Sequence, residues 1–172
     1  MNKKLFNIKN FVTIITGSGR GIGLEIATAF YKHGAKVIRL DLNLNKHKLY
    51  KFADYKIDLT KQKLVDQCLN KIIHRYDRID VLINNAGVTT NSLNFYNEEI
   101  LRKTLSVNLI AAYNLSHKVC KIMSKRKKGS VINITSLSAE RGFKGNPSYQ
   151  VSKAGLKQLT KALACDWGQK NI

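Results

Sequence analysis

The sequence contains no long hydrophobic run and no paired cysteines, and each absence excludes a class of protein. No stretch of its 172 residues approaches the roughly 20 consecutive apolar residues of a membrane-spanning helix. The amino terminus begins with lysines, but Asn7, Lys9 and Asn10 interrupt the apolar core that a signal peptide needs. The cysteines are far apart and form no CxxC pair, so neither a metal site nor a disulfide framework is predicted. We therefore expect a soluble cytoplasmic protein with reduced cysteines.

Acidic residues are also scarce in this sequence. Thirty Lys and Arg against 11 Asp and Glu give a net charge of +19, which suits nucleic acid, an anionic lipid surface or an acidic substrate. The basic residues are scattered, and the one dense run, residues 125–129, has no interleaved aromatic side chains for base stacking. We therefore predict that neither nucleic acid nor a membrane is the primary partner.

Short β-rich segments alternate with helical segments along the chain. This alternation predicts an α/β fold, a doubly wound parallel sheet covered by helices on both faces. No linker or repeat divides residues 1–172 into more than one domain. Strands are predicted at residues 11–17, 35–41, 55–60, 78–87 and 129–136. Helices are predicted at residues 21–34, after a cap at Thr60, at 97–124 and at 149–168.

The loop between the first strand and the first helix is rich in glycine. Its sequence is TGSGRGIG, with the spacing TGxxxGxG through Gly17, Gly21 and Gly23 rather than GxGxxG. Glycines permit a tight turn and the close approach of a pyrophosphate, whose charge would meet the amino terminus of the helix. A glycine-rich turn without a ligand is the alternative, but the strand–loop–helix context favours dinucleotide binding.

Asp41 ends the predicted second strand, 24 positions after Gly17. A carboxylate at this place can accept hydrogen bonds from both hydroxyls of the adenosine ribose and would repel a 2′-phosphate. Arg20 and Arg39 favour the opposite choice, because guanidinium groups bind phosphate. We give the carboxylate more weight, so NAD is the predicted cofactor and NADP the alternative.

Tyr149 and Lys153 lie four positions apart in the segment NPSYQVSKAG. Residues at i and i+4 share a helix face, so the lysine charge would lie beside the phenol and lower its pKa from about 10. Alone, the pair also fits an ordinary amphipathic surface helix. The context favours a functional site, because the glycine loop, the segment NNAG and Ser136 also stand at predicted strand ends, on one rim of the sheet.

Five segments in this order resemble the short-chain dehydrogenase/reductase family, which includes 3-oxoacyl-(acyl carrier protein) reductases and many sugar, steroid and polyol dehydrogenases. They are VTIITGSGRGIG, DVLINNAG, SVNL, VINITSLSA and YQVSK. The resemblance implies a Rossmann-type sheet in which Tyr149 is the catalytic acid/base. Lys153 would lower the pKa of that tyrosine and hold the nicotinamide ribose. Ser136 would orient the substrate oxygen, and Asn108 would support a water that relays protons to Lys153.

The resemblance also implies which residues contact the cofactor. Asp58 and Leu59 would meet the adenine, and the end of the fourth strand would meet the neighbouring sugar. The implied contacts are Gly17, Gly19, Arg20, Gly21, Ile22, Gly23, Asp41, Asp58, Leu59, Asn85, Ala86, Gly87, Tyr149 and Lys153. Simpler interpretations exist for single residues: Ser136 as a strand-end cap, Asn108 on an exposed helix face, and Asn84 with Asn85 as turn formers.

The family's pattern extends beyond the residues present here. Similar proteins continue into another strand, a substrate lid and a final strand, so the resemblance implies a domain that is incomplete at its carboxyl terminus. A part of a longer protein, a truncated product and a specialised remnant all fit this expectation. Without the next strand, the predicted fifth strand would form an apolar edge of the sheet.

The sequence therefore predicts an NAD(P)(H)-dependent oxidoreductase that interconverts a secondary alcohol and a ketone. The substrate would be a small molecule, with a carrier-bound 3-oxoacyl thioester and a sugar or polyol as candidates. A catalytically silent dinucleotide-binding remnant or partner subunit is the alternative function. Homo-oligomers are expected to form through the helices at residues 97–124 and 149–168, as in similar proteins.

Overall fold

The computed structural model describes residues 7–44, 47, 49–90 and 96–172, and it contains one parallel five-stranded sheet. The strand order is β3-β2-β1-β4-β5, so β1 is hydrogen-bonded to both β2 and β4. A crevice at the carboxyl ends of β1 and β4 follows from this order, and ligands bind at such crevices. The predicted α/β fold is confirmed. The strands are β1 (Val12–Thr16), β2 (Lys36–Asp41), β3 (Ala53–Lys56), β4 (Val81–Asn84) and β5 (Ser130–Asn133).

Helices cover both faces of the sheet. On one face, α1 (Gly21–Lys32) packs its Ala27 against Ile15 and Ile83. On the other face, α2 (Gln62–Tyr76) and α4 (Ala111–Ser124) pack against the opposite side chains of the central strands. A smaller apolar cluster joins α4 to α5 (Pro147–Trp167). Because the central strands are buried on both sides, they consist of nearly continuous apolar residues. No helix in the described part of the chain has the length and apolar character needed to cross a membrane.

The third strand lies earlier than predicted. It spans Ala53–Lys56 rather than 55–60. Asp58 ends it, because its carboxylate accepts hydrogen bonds from both the backbone N–H (2.9 Å) and the hydroxyl (2.7 Å) of Thr60, which forms an Asx-type turn. Because its hydroxyl is bonded to Asp58, Thr60 does not cap α2. Lys61 is the N-cap residue instead, and its side chain forms no capping hydrogen bond.

The predicted helix at residues 97–124 is interrupted by a wider turn. It starts as α3 (Glu98–Leu105), passes through a π-type turn at Ser106–Ile110 and continues as α4. A π-type turn adds a residue to the hydrogen-bonded ring and is frequent at functional sites. Asn108 lies in this turn and is fully buried, so its interpretation as a polar residue on an exposed helix face is wrong.

Arg39 is a charged residue in the centre of the sheet. Its side chain is 1% exposed, and its guanidinium donates to both carboxylate oxygens of Asp54 at 2.8 and 2.6 Å. The same guanidinium lies 4.6 Å from the ring centroid of Phe52. A buried charge is tolerated only when it is paired and hydrogen-bonded, so this pair fixes β2 against β3 in register.

We expect Asp54→Asn to lower the free energy of unfolding by about 2 kcal/mol or more, because it removes the negative partner of a buried guanidinium. Urea denaturation measures the change. Asp66→Asn is the matched control, since Asp66 pairs with Lys118 across the exposed surfaces of α2 and α4, where such pairs contribute at most about 1 kcal/mol. Equal effects of the two substitutions would contradict the structural role of the Arg39–Asp54 pair.

Candidate active site

The glycine loop is attached directly to the end of β4. The side-chain amide of Asn85 donates to Thr16 O at 3.0 Å and to Gly17 O at 2.9 Å. In return, the hydroxyl oxygen of Thr16 accepts the backbone N–H groups of Asn85 and Ala86, each at 3.0 Å. Gly17 has φ +62°, and a Cβ added there would lie 2.6 Å from Ala86 Cα. Only glycine therefore permits this contact, which we call the β1–β4 junction.

The amino terminus of α1 opens at the same rim. Arg20 precedes the helix without forming a side-chain cap, and the first turn contains no acidic residue. Gly21 has φ +55° with open space where a Cβ would stand, and Ile22 is exposed. The first N–H groups of an α-helix have no partner within the helix and favour a bound anion. These residues therefore fit a pyrophosphate.

The carboxylate of Asp41 lies against the glycine loop. One oxygen accepts the N–H of Gly19 at 2.8 Å, and the other accepts the N–H of Asn43 at 2.9 Å. A Cβ at Gly19 would lie only 2.1 Å from Asn43 O, so the chain after β2 packs closely on the loop. In the sequence, Arg39 was a reason to consider NADP. In the structure, its guanidinium forms an ion pair with Asp54.

Asn108 links three segments of the site. Its side-chain oxygen accepts Val88 N at 2.7 Å, and its amide nitrogen donates to Val88 O and to Ser152 Oγ, both at 3.0 Å. Ser152 in turn donates to Tyr149 O at 2.7 Å. The π-type turn, the loop after β4 and the first turns of α5 are thereby held together. Because both amide hydrogens are committed, the Asn108 side chain could hold a water only through the second lone pair of its oxygen.

Tyr149 and Lys153 are adjacent, as the spacing predicts. The ammonium of Lys153 lies 5.7 Å from the centroid of the Tyr149 ring and donates to Ile134 O at 2.7 Å. Lys153 is 4% exposed, and this burial lowers its pKa from the ordinary value. A Cβ at Gly87 would lie 3.6 Å from the same ammonium. The pair therefore lies at the rim that holds the ends of β4 and β5.

Ser136 lies near the end of β5, and its hydroxyl is hydrogen-bonded to Ser138. Its hydroxyl is 2.7 Å from the hydroxyl of Ser138 and accepts the Ser138 N–H at 3.1 Å. Among the described residues, no hydrogen bond joins Ser136 to Tyr149 or Lys153. Sequence reasoning missed Ser138, although a second serine two positions on is visible in the segment SLS.

The remaining predicted residues are placed as follows. Leu59 lines a small pocket together with Ala86 and Asn108, whereas the carboxylate of Asp58 accepts the hydroxyl of Thr60. The hydrogen bond from the Thr60 hydroxyl, followed by that from its backbone, lowers the pKa of Asp58. Both hydrogen bonds from Thr60 reach the same carboxylate oxygen of Asp58, and the adenine contact of Asp58 stays a prediction.

Asn84 is not a turn former. Its buried amide donates to Ser116 Oγ and to Asn133 Oδ1, both at 2.8 Å. It thus connects β4 to α4 and β5. Thr16, Ser152 and Asn84 are site residues that sequence reasoning missed, because small polar residues inside apolar segments give no indication of their partners.

Known proteins share this arrangement of sheet and loops. The family model of short chain dehydrogenase matches residues 11–172. The 3-oxoacyl-[acyl-carrier-protein] reductase FabG of Chlamydia muridarum is 34% identical, over 95% of this chain and 70% of its own length. The 2-dehydro-3-deoxy-D-gluconate 5-dehydrogenase of Formosa agariphila is 30% identical, over 100% of this chain and 69% of its own length.

A solved structure shows the same likeness in three dimensions. The structure of 4-hydroxyisoleucine dehydrogenase complexed with NADH has a TM-score of 0.85 at 30% identity, covering 95% of this chain and 72% of that one. The chain spans about two thirds of the length of the curated relatives it matches, and 63% of a short-chain dehydrogenase structure from Streptomyces avermitilis. The sheet order, the glycine loop and these matches agree, and the chain belongs to the short-chain dehydrogenase family of oxidoreductases.

Proposed function

We propose that this chain carries the nucleotide-binding and catalytic part of an NAD(H)-dependent oxidoreductase that interconverts a secondary alcohol and a ketone. The observation that carries the proposal is the buried ammonium of Lys153 beside the Tyr149 ring, on the rim that also holds the glycine loop. Burial of an ammonium costs free energy unless a counter-charge is paired with it, and the hydrogen bond of Lys153 goes to a neutral carbonyl, Ile134 O. A role in proton transfer at this rim explains why a lysine is placed there.

The residues at the rim fit a nicotinamide dinucleotide. The uncapped amino terminus of α1 and the open space at Gly21 suit the pyrophosphate. Asp41 suits the adenosine ribose, since each of its oxygens keeps a lone pair beyond the single N–H that it accepts. Lys153 suits the nicotinamide ribose after it leaves Ile134 O. NAD, when bound, supplies or accepts the hydride.

In the reductive direction, Tyr149 gives its phenolic proton to the substrate oxygen as negative charge develops there, and oxidation reverses the transfer. The ammonium of Lys153 stabilises the negative charge left on the phenol. When Ser138 donates to the Ser136 hydroxyl, the proton of Ser136 remains free to bind the substrate oxygen. Asn108 acts through position, because its amide hydrogens are committed to Val88 and Ser152.

A carrier-bound 3-oxoacyl thioester is the substrate class we favour. Leu137 and Phe143, on the loop between Ser136 and Tyr149, are large apolar residues that are more than half exposed, which suits an acyl chain. The net charge of +19 suits an acidic carrier, and FabG of Chlamydia muridarum is named as a reductase of such substrates. A sugar or polyol is the second candidate, given the named activity of the Formosa agariphila relative.

Self-association through the helical face of α4 and α5 is part of the same proposal. Ile110, Tyr113 and Val151 are each more than half exposed on or beside these helices. Exposed apolar side chains of this kind mark protein interfaces when they form a contiguous patch. We assign residues 1–172 to a single nucleotide-binding domain.

We expect Tyr149→Phe to lower kcat for reduction of acetoacetyl-coenzyme A by about a hundredfold or more, because the site loses its proton donor. The dissociation constant of NADH should stay within about twofold, since a single hydroxyl is removed. Loss of reduced-nicotinamide absorbance measures the first quantity and calorimetry the second. Tyr76→Phe, at the last residue of α2, is the matched control.

The alternative function makes the opposite prediction. A silent dinucleotide-binding remnant would bind NADH without turnover, and Tyr149→Phe would then change nothing. Wild-type protein that neither binds NADH nor oxidises or reduces a panel of alcohols and ketones would contradict both functions.

We expect Asp41→Asn to reduce the preference for NADH over NADPH by about tenfold or more, because it removes a charge that repels the 2′-phosphate. The asparagine oxygen can still accept one of the two backbone N–H groups. Dissociation constants for both dinucleotides give the preference, and Asp166→Asn on the exposed surface of α5 serves as the control. An unchanged ratio would indicate that other residues select the cofactor.

The buried Lys153 should make stability depend on pH. Its folded pKa is lowered, so between that value and 10.5 the unfolded chain binds more protons than the folded one. Stability therefore rises with pH in this window. We expect the free energy of unfolding of the wild type, minus that of Lys153→Met, to increase as the pH rises toward 10.5 in urea titrations. The same difference for the exposed Lys161→Met should be flat, and a flat difference for Lys153→Met would refute the argument.

A further inference from the structure

The loop between Ser136 and Tyr149 must return the chain from β5 to the start of α5. Its last residues have unusual backbone conformations, with φ +77° at Gly145 and +55° at Asn146. Asn146 then caps α5, because its side-chain oxygen accepts the N–H of Tyr149 at 3.2 Å. The position of the Tyr149 backbone therefore depends on a largely exposed segment that ends in two left-handed residues.

The side chain of Gln150 holds this segment. Its oxygen accepts the N–H of Phe143 at 2.8 Å, and its nitrogen donates to Phe143 O at 2.8 Å and to Gly145 O at 2.9 Å. A longer contact of 3.4 Å reaches Asn146 O. One amide thus makes both backbone bonds of Phe143, as a neighbouring strand would, and also fixes the turn before the helix cap.

Few other bonds restrain the same segment. Lys157 pairs with Glu140 at the beginning of the loop, and the amide nitrogen of Asn146 reaches the hydroxyl of Thr89. Both contacts are exposed, so each contributes little by itself. The glutamine amide is therefore the main connection between the middle of the loop and the first turn of α5.

We propose that Gln150 is a positioning residue, whose amide fixes residues 143–146 and thereby aligns Tyr149 with the Ser136–Ser138 pair and the substrate. The proposal rests on the proposed function in one respect, namely that Tyr149 is the acid/base. Gln150 itself touches neither substrate nor cofactor in this scheme. It acts on the substrate side of the site, and the β1–β4 junction and Asp41 are outside its contacts.

Gln150→Met, which keeps the length of the side chain without its hydrogen bonds, tests the clamp directly. We expect hydrogen exchange at the Phe143 amide to accelerate about tenfold or more, because the amide loses its acceptor. The same substitution at Gln158, exposed on α5, is the control. Exchange of the Phe143 amide at the wild-type rate in Gln150→Met would overturn the clamp.

Kinetics then test positioning. In Gln150→Met, we expect kcat/KM for acetoacetyl-coenzyme A to fall about tenfold, while the dissociation constant of NADH stays within about twofold. An unchanged kcat/KM, or an equal loss of NADH affinity, would overturn the positioning role. Absence of turnover in the wild type would count against the proposed function instead. Hydrogen exchange at the Phe143 amide would still show whether the Gln150 side chain holds the loop.

A second variant covers the case in which Gln150→Met does not fold. In Gln150→Glu, the carboxyl faces the carbonyl oxygens of Phe143 and Gly145. It can donate to them when protonated and repels them when ionised. We therefore expect the ratio of its kcat/KM to that of the wild type to rise as pH falls from 8 to 5.5. A ratio independent of pH would overturn the proposal.

Discussion

The β1–β4 junction is the contact on which the rest of the site depends. The side chains of Thr16 and Asn85 form four hydrogen bonds to backbone groups at the ends of β1 and β4. Gly17 allows its backbone to lie against that of Ala86. This junction fixes where the glycine loop turns and therefore where α1 begins. From the same strand end, Val88 is held by Asn108, Asn108 by Ser152, and Ser152 reaches Tyr149 O. The nucleotide end and the catalytic helix are therefore positioned by one connected set of hydrogen bonds, which begins at the backbone of Val88 and ends at the backbone of Tyr149.

Sequence patterns predicted the features that depend on local physics. Alternating strands and helices, with glycines at the first turn, indicated the parallel sheet and its functional rim. The spacing of Tyr149 and Lys153 indicated their contact, because an α-helix fixes i and i+4 neighbours regardless of the rest of the fold. By contrast, β3 was predicted several residues too late, since the turn made by Asp58 and Thr60 cannot be distinguished from a strand by apolar content.

Features that depend on long-range partners could not be predicted. The π-type turn at Ser106–Ile110 interrupts a segment whose sequence is typical of one continuous helix. The buried position of Asn108 in this turn depends on its hydrogen bonds to Val88 and Ser152, which the sequence does not reveal. Arg39 was interpreted as a possible phosphate ligand because its partner, Asp54, is 15 residues away on another strand. The bond between Ser136 and Ser138 is local, but a serine two positions on does not by itself indicate a hydrogen bond.

The site combines two parts with different physical character. The nucleotide part is built from close backbone contacts. It includes Gly17, Gly19 and Gly23, where an added Cβ would clash with neighbouring backbone atoms, so few substitutions at these positions preserve the fold. The loop from Ser136 to Asn146 is mostly exposed and is tied to α5 by one glutamine side chain and a few surface contacts. Changes in an exposed loop alter binding with little cost to the core. Because the loop lies on the substrate side and the nucleotide part on the cofactor side of Tyr149 and Lys153, substrate preference can vary while the hydride and proton chemistry stays the same.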